Sequence, residues 1–157
     1  MNNLILSLVA GLGATLAIGV LSYAEVSLTE VVLLMAPFGA TAVLVFGVPS
    51  SPLAQPKNVI IGHFITASIG IAFSQYVEIT PITLAIATGL GVSAMLITKT
   101  THPPAGANPI LIMASGQGWS FLFTPVLIGA MVIVLVGKAL QLLQSQYLNP
   151  RLKGQKT

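Results

Sequence analysis

The stretch Thr101-His-Pro-Pro-Ala-Gly-Ala-Asn-Pro-Ile110 decides the fold. Three prolines and one of only two histidines interrupt a chain that is otherwise apolar enough for a bilayer interior. Proline lacks a backbone N–H and breaks a continuing helix. The segment 103–116, which opens with Pro103-Pro104, is also short for a crossing, which needs about 20 apolar residues. Residues 3–23, 59–77, 79–98 and 120–144 are long enough. Val31–Val48 is long enough too, but Pro37 and Gly39 interrupt it. A polar, proline-rich connector, Pro49-Ser-Ser-Pro-Leu-Ala-Gln-Pro-Lys-Asn58, follows.

Composition sets the class. Of 157 residues, 55% are hydrophobic and 6% charged, and the mean hydropathy is +0.95. A soluble domain carries about 25% charged residues. Six Lys or Arg and three Glu cannot coat a soluble surface, so the chain reads as one all-α transmembrane domain over residues 1–157. A net charge of +3 is too sparse for nucleic acid, so the partner is the lipid bilayer. The absence of cysteine removes disulfides, iron–sulfur clusters and thiolate metal sites. The N-terminus runs straight into an apolar stretch too long for a cleaved leader, and no transit peptide is expected.

An internal repeat organises the segments. A shift of 67 positions lays Pro37-Phe-Gly-Ala40 on Pro104-Ala-Gly-Ala107, Leu44 on Leu111, and Val59-Ile-Ile-Gly62 on Val126-Leu-Ile-Gly129. It also lays Gly70 and Ala72 on Gly137 and Ala139. Each half reads as helix, Pro/Gly-broken segment, helix: repeat 1 over about 1–77, repeat 2 over about 78–145, then a basic tail, 146–157. The helical bundle then has six crossings with inverted halves, or four spans plus two re-entrant segments. Six crossings put all six basic residues, including Arg151, Lys153 and Lys156 of the tail, on one face, and Glu25, Glu30 and Glu78 on the other. The positive-inside rule makes the basic face cytoplasmic, with both termini on it.

Irregular backbone survives in a bilayer only where protein or a water-filled cavity covers it. Pro37 and Pro104 are suited to the first turn of a helix, and Gly39 and Gly106 leave backbone accessible. Exposed N–H groups there, with the helix dipole, make a candidate anion site near the midplane. Paired broken segments in two halves point to a transporter's binding site; a kink packed against its neighbours is the structural alternative. His102, extended because Pro103 follows it, is a candidate cap, path lining or proton shuttle, or a buried histidine bonded to a carbonyl. His63 shares a helix face with Thr66, Gly70 and Ser74, a small and polar stripe that also suits helix packing. Ala87, Gly91, Ala94 and Thr98 form another stripe, as do Gly11, Thr15 and Gly19; both read as packing. Lys57 and Lys99 either snorkel to the interface or attract an anion to a vestibule. Gln55 and Asn58 offer donors beside Lys57, and Asn58 also suits the N-cap of the next helix. Thr41 and Asn108, just past the two breaks, complete the candidate pathway.

Ala36-Pro-Phe-Gly-Ala40, Ser51-Pro-Leu-Ala-Gln-Pro-Lys-Asn58 with Gly62-His63, and His102-Pro-Pro-Ala-Gly-Ala107 resemble the HPP family of integral membrane proteins, named for the His-Pro-Pro at 102–104. The resemblance covers nearly the whole chain. It implies four spanning helices and, because cyanobacterial and chloroplast members are associated with nitrite transport, a nitrite transporter or channel in a bacterial inner membrane. Lys57 stands where many members carry Arg, which keeps the charge and loses the bidentate fork.

A transporter or channel for a small inorganic anion is therefore the expected function, with no cofactor; self-association into a homo-oligomer stays open. The alternatives are a membrane haem protein with His63 and His102 as axial ligands, and an accessory membrane subunit. An enzyme is not expected: two histidines and three scattered Glu give no HExxH zinc site, and no G-x-S-x-G is present.

Overall fold

The computed structural model describes residues 3–28 and 31–148. Most of the described residues are helical, and the order of the helices follows the prolines. Helix α1 is Asn3–Leu28, and α2 is Pro37–Ala42, which runs on as a wider turn to Gly47. Helix α3 is Pro56–Tyr76, and α4 is Pro81–Ile97. Helix α5 is Asn108–Ser115, entered through a 3-10 turn, Pro103–Ala107. Helix α6 is Ile128–Leu143, entered through a kinked turn, Leu122–Leu127, that holds Pro125. Prolines stand at the first helical positions of α2, α3, α4 and the 103–107 turn, where no intrahelical N–H is lost. Thr80 starts α4 with a capping box to Thr83.

Among the described residues, three helices are long and apolar enough to cross a membrane by length and composition: Asn3–Leu28, Pro56–Tyr76 and Leu122–Gln146. Helix α1 is apolar on every side and buries only one line, Gly13, Ala17 and Leu21. The outward Leu4, Leu8, Leu12, Leu16 and Val20 suit lipid rather than water. This corrects the expected packing role of Gly11, Thr15 and Gly19, which face open space. An all-apolar helix gives its pattern no preferred side, and the close approach is made by Gly13, where an added Cβ would meet Leu140 and Phe46 at 2.6 Å.

The path of the broken segments follows from their neighbours. Leu33 and Leu34 lie beside Glu25 near the end of α1. Gly47 and Pro49 share a groove with Leu6 and Ser7 at its beginning, and with Gln144. Residues 31–48 therefore run the length of α1 in reverse, first as an irregular strip, then as α2. In this strip the Glu25 carboxylate takes the place of helical partners: it accepts from the Leu33 and Leu34 N–H groups, each at 2.8 Å. In the other half, Gly62 on α3 lies against Thr100 and His102, Gly70 against Pro109, and Gln75 beside Gln117. Residues 100–117 thus run parallel to α3. Trp119 Nε1 donates to Tyr76 Oη at 3.3 Å and ties the start of the α6 turn to the end of α3.

Two three-element bundles result. One holds α1, α2 and α6; the other holds α4, α5 and α3. The α1 start, the 49–55 connector, the α4–α5 turn and the α6 end share one end of the molecule. That end carries Lys57, Lys99 and, near the close of α6, Lys138; Glu25 and Glu78 belong to the opposite end. The tail bases Arg151, Lys153 and Lys156, and Glu30, lie outside the described residues.

Candidate functional site

Four polar side chains converge where the bundles meet. Thr41, His63, His102 and Asn108 are all fully buried, in a core otherwise built from residues such as Phe38, Val59, Ile71, Ile112 and Val126. Thr41 comes from α2, one turn past Pro37. His63 projects inward from α3 beside Thr66 and Gly70, which are also buried. His102 precedes the 103–107 turn in extended conformation (φ −137°, ψ 97°). Asn108 opens α5.

The bonds form a chain. The Thr41 hydroxyl lies 2.9 Å from His63 Nε2, 3.0 Å from His102 Nε2 and 3.1 Å from the Pro37 carbonyl. His102 Nδ1 lies 2.8 Å from the Leu53 carbonyl, so it carries a proton and donates. Asn108 Nδ2 faces His63 Nδ1 at 3.0 Å, the His63 carbonyl at 3.2 Å and Thr66 Oγ1 at 3.0 Å. Turning that amide round would set oxygen against the carbonyl, so nitrogen belongs there; its two hydrogens are shared among three acceptors, and His63 Nδ1, which faces this donor, carries no proton. His63 therefore carries its proton on Nε2 and donates to Thr41. Asn108 Oδ1 is buried and has no partner among the described residues. The rings stack edge to face, His63 on His102 at 5.0 Å and Phe38 on His63 at 5.4 Å.

Other candidates support this cluster or stand apart from it. Asn58 Nδ2 donates to the Thr101 carbonyl at 3.0 Å and pins the turn before His102, instead of capping α3, whose N-cap is Gln55. Gln55 Nε2 donates to the Pro49 and Ser51 carbonyls and closes the connector. Lys57 and Lys99 are exposed. Pro37 and Pro104 are buried, Pro103 is exposed and Gly106 half-buried. These prolines line an apolar groove of about 580 Å³ between the two broken segments, with Ala36, Ala40 and Ala107.

Gly39 corrects an expectation. It opens to space, and its N–H is bonded to the Ala36 carbonyl at 3.1 Å, as that of Phe38 is to Met35 at 3.0 Å. The first turn of α2 therefore keeps no free amides at Phe38 and Gly39, and the polar convergence lies a turn further on, at Thr41. The haem alternative does not fit either. Both Nε2 atoms point at one hydroxyl, which stands where an axially ligated iron would have to be.

Glu25 was not among the residues singled out for a site. Its signal is a carboxylate three residues before the end of α1 that precedes a β-branched pair, Val31-Val32, ahead of a proline break.

Two transmembrane proteins of Dictyostelium discoideum are similar to the chain. One is 36% identical over 128 residues, covering 76% of this chain and 45% of the relative. The other is 35% identical over 128 residues, covering 76% and 41%. The chain thus spans less than half the length of these curated relatives. No solved structure matches it. The family model for the HPP transmembrane region matches residues 2–148, and the chain belongs to that family of membrane-embedded proteins.

Proposed function

We propose that this protein is a membrane transporter or channel for a small inorganic anion, with nitrite as the substrate that the family resemblance suggests, and that Thr41, His63, His102 and Asn108 form the polar constriction of its path. One observation carries the reading: four fully buried, mutually bonded polar side chains at the junction of two broken segments in an apolar membrane core. Polar and ionisable groups at membrane depth are costly and mark substrate and proton routes. The substrate meets the flank of the broken segments at Thr41 and Asn108.

The topology that goes with this reading has six crossings, two inverted repeats, and the Lys57 and Lys99 end in the cytoplasm of a bacterial cell. Basic residues at one end and carboxylates at the other support it. A cysteine at Ser50, in a chain free of native cysteine, is then labelled from the cytoplasmic side only; labelling from outside intact cells refutes the six-crossing path.

Uptake of nitrite, nitrate and chloride into proteoliposomes tests the function. Thr41→Val and His102→Gln should each reduce nitrite uptake by at least about tenfold, the effect of about 1.4 kcal/mol. Lys57→Gln and Lys99→Gln should raise the half-saturating concentration a few-fold, more at low ionic strength, because exposed charges act through screened attraction. If wild-type protein moves none of these anions, the reading fails.

A further inference from the structure

The geometry points to His102 as the residue that takes up a proton together with the anion, with the Thr41 hydroxyl as the rotor that lets it do so and His63 held neutral beside it. His63 Nδ1 faces an Asn108 amide that can only donate, so a second proton on His63 would set two donors against each other at 3.0 Å. Asn108 cannot turn to relieve this, because Nδ2 is also held by the His63 carbonyl and Thr66 Oγ1.

His102 has no such block. Its Nδ1 already donates to Leu53, and its Nε2 faces a hydroxyl with one hydrogen and two acceptors in reach. With His102 neutral, Thr41 accepts from His63 and donates to His102 Nε2. When His102 gains a proton on Nε2, that N–H donates to Thr41 Oγ1, and the hydroxyl hydrogen swings to the Pro37 carbonyl, 3.1 Å away. Thr41 then accepts from both rings. No heavy atom moves, and no bond in the chain is lost.

The charge is what couples the proton to the substrate. The titratable group facing His102 is His63, from α3. The other groups against it are Thr41 from α2, the Leu53 carbonyl from the connector, and Gly62 of α3 beside its Cβ. The α4–α5 turn brings Thr100, whose hydroxyl bonds Thr98. Lys57 and Lys99 are exposed, Glu25 is committed to Leu33 and Leu34, and Glu78 sits in the α3–α4 turn. Among the described residues, no carboxylate bonds either ring. A protonated His102 therefore has no counterion among the described residues, and an unpaired charge in such surroundings is very costly. A small anion supplies the counterion. In the neutral state, by contrast, the open valence of the cluster is an acceptor, Asn108 Oδ1, which repels an anion. Proton and anion thus stabilise one another, and the pair moves with no net charge.

This coupling rests on the anion reading above; the choice of histidine does not. Two histidines make the test direct. ¹⁵N-histidine NMR of the full chain in nanodiscs, titrated from pH 8 to 5 with and without nitrite, reads the tautomer and charge of each ring. The expected result is His63 with its proton on Nε2 throughout and His102 alone gaining a second proton. Saturating nitrite should move the His102 midpoint upward by about one pH unit, the reciprocal of an anion affinity about tenfold higher when His102 is protonated than when it is neutral. Thr41→Ser should keep this behaviour, and Thr41→Val should lose the nitrite-dependent shift. A second proton arriving first on His63 overturns the assignment. A His102 midpoint that nitrite does not move overturns the coupling. In proteoliposomes, with protein-free vesicles subtracting passive permeation of the conjugate acid, nitrite accumulation should follow a pH gradient and ignore a potassium diffusion potential; accumulation driven by the potential overturns electroneutral coupling. If no anion is transported while the NMR result stands, the transport reading fails and the histidine switch survives.

Discussion

Pro37–Gly47 and Pro103–Ser115 each lie between a helix of their own half and the last helix of the other half, and the same 67-position offset carries the contacts of one onto the other. An added Cβ at Gly62 would meet the Thr100 carbonyl at 2.9 Å; one at Gly129 would meet the Leu33 carbonyl at 3.2 Å. Gly70 faces Ile112, and Gly137 faces Val45. The offset also carries Thr41 to Asn108. What it does not carry is the chemistry. His63 falls on Ala130 and His102 on Met35, and all four are buried. Equivalent backbones therefore present a rotatable hydroxyl in one half and a fixed amide in the other. That difference separates the two histidines: one can be charged, the other cannot.

The largest effect expected from breaking this correspondence is at Gly129. Its Cβ would run into the Phe38 ring, so Gly129→Ala should cost about 3 kcal/mol, the upper range for overpacking. Phe38→Leu should restore most of it, measured as thermal unfolding in detergent. The counterpart Gly62→Ala meets a backbone carbonyl and His102 Cβ at 3.1 Å, so no single truncation should rescue it. Glu25→Ala comes next. It frees two N–H groups of the irregular strip and should cost about 2 kcal/mol, with Glu25→Gln intermediate. Among the described residues no carboxylate bonds the strip that enters the second broken segment, where the Asn58 amide holds the Thr101 carbonyl instead. Asn108→Leu should cost about 1 kcal/mol and, more tellingly, release His63 to take a proton, so that the two rings titrate together. The smallest effect is at Lys99, whose φ of 54° is a conformation that favours glycine. Lys99→Gly should raise stability by under about 1 kcal/mol, with some loss of anion affinity if the charge serves a vestibule.

Much of this was legible in the residues. The prolines mark the first turns of α2, α3, α4 and the 103–107 turn because a fixed φ and a missing N–H allow few other places. Thr41, His63, His102 and Asn108 each stand out in the sequence as polar residues in or beside the broken segments, but their meeting in one buried cluster is a property of the fold. Two things could not be read. The inward face of α1 has no polar mark, so small residues suggested Gly11 and Gly19 where Gly13 is the one packed. The second is the partner of each backbone amide at the break. Whether Gly39 offers its N–H to a ligand depends on the Ala36 carbonyl three residues back, a local turn that composition does not reveal. Glu25 was missed for the same reason, since its role exists only once the strip folds back along α1.

The crossed packing of the two halves has a consequence for how the chain is put together. The broken segment of residues 37–47 needs α6, and that of residues 103–115 needs α3, so each half carries the partner that the other lacks. A chain severed in the α3–α4 turn, between Val77 and Thr80, yields one fragment with two elements of the α1–α2–α6 bundle and one of the α3–α4–α5 bundle, and a second fragment with the converse share. Neither should accumulate when made alone, and the two should complement when made together. In that sense the molecule is an antiparallel pair of interlocked protomers that happen to share one peptide chain.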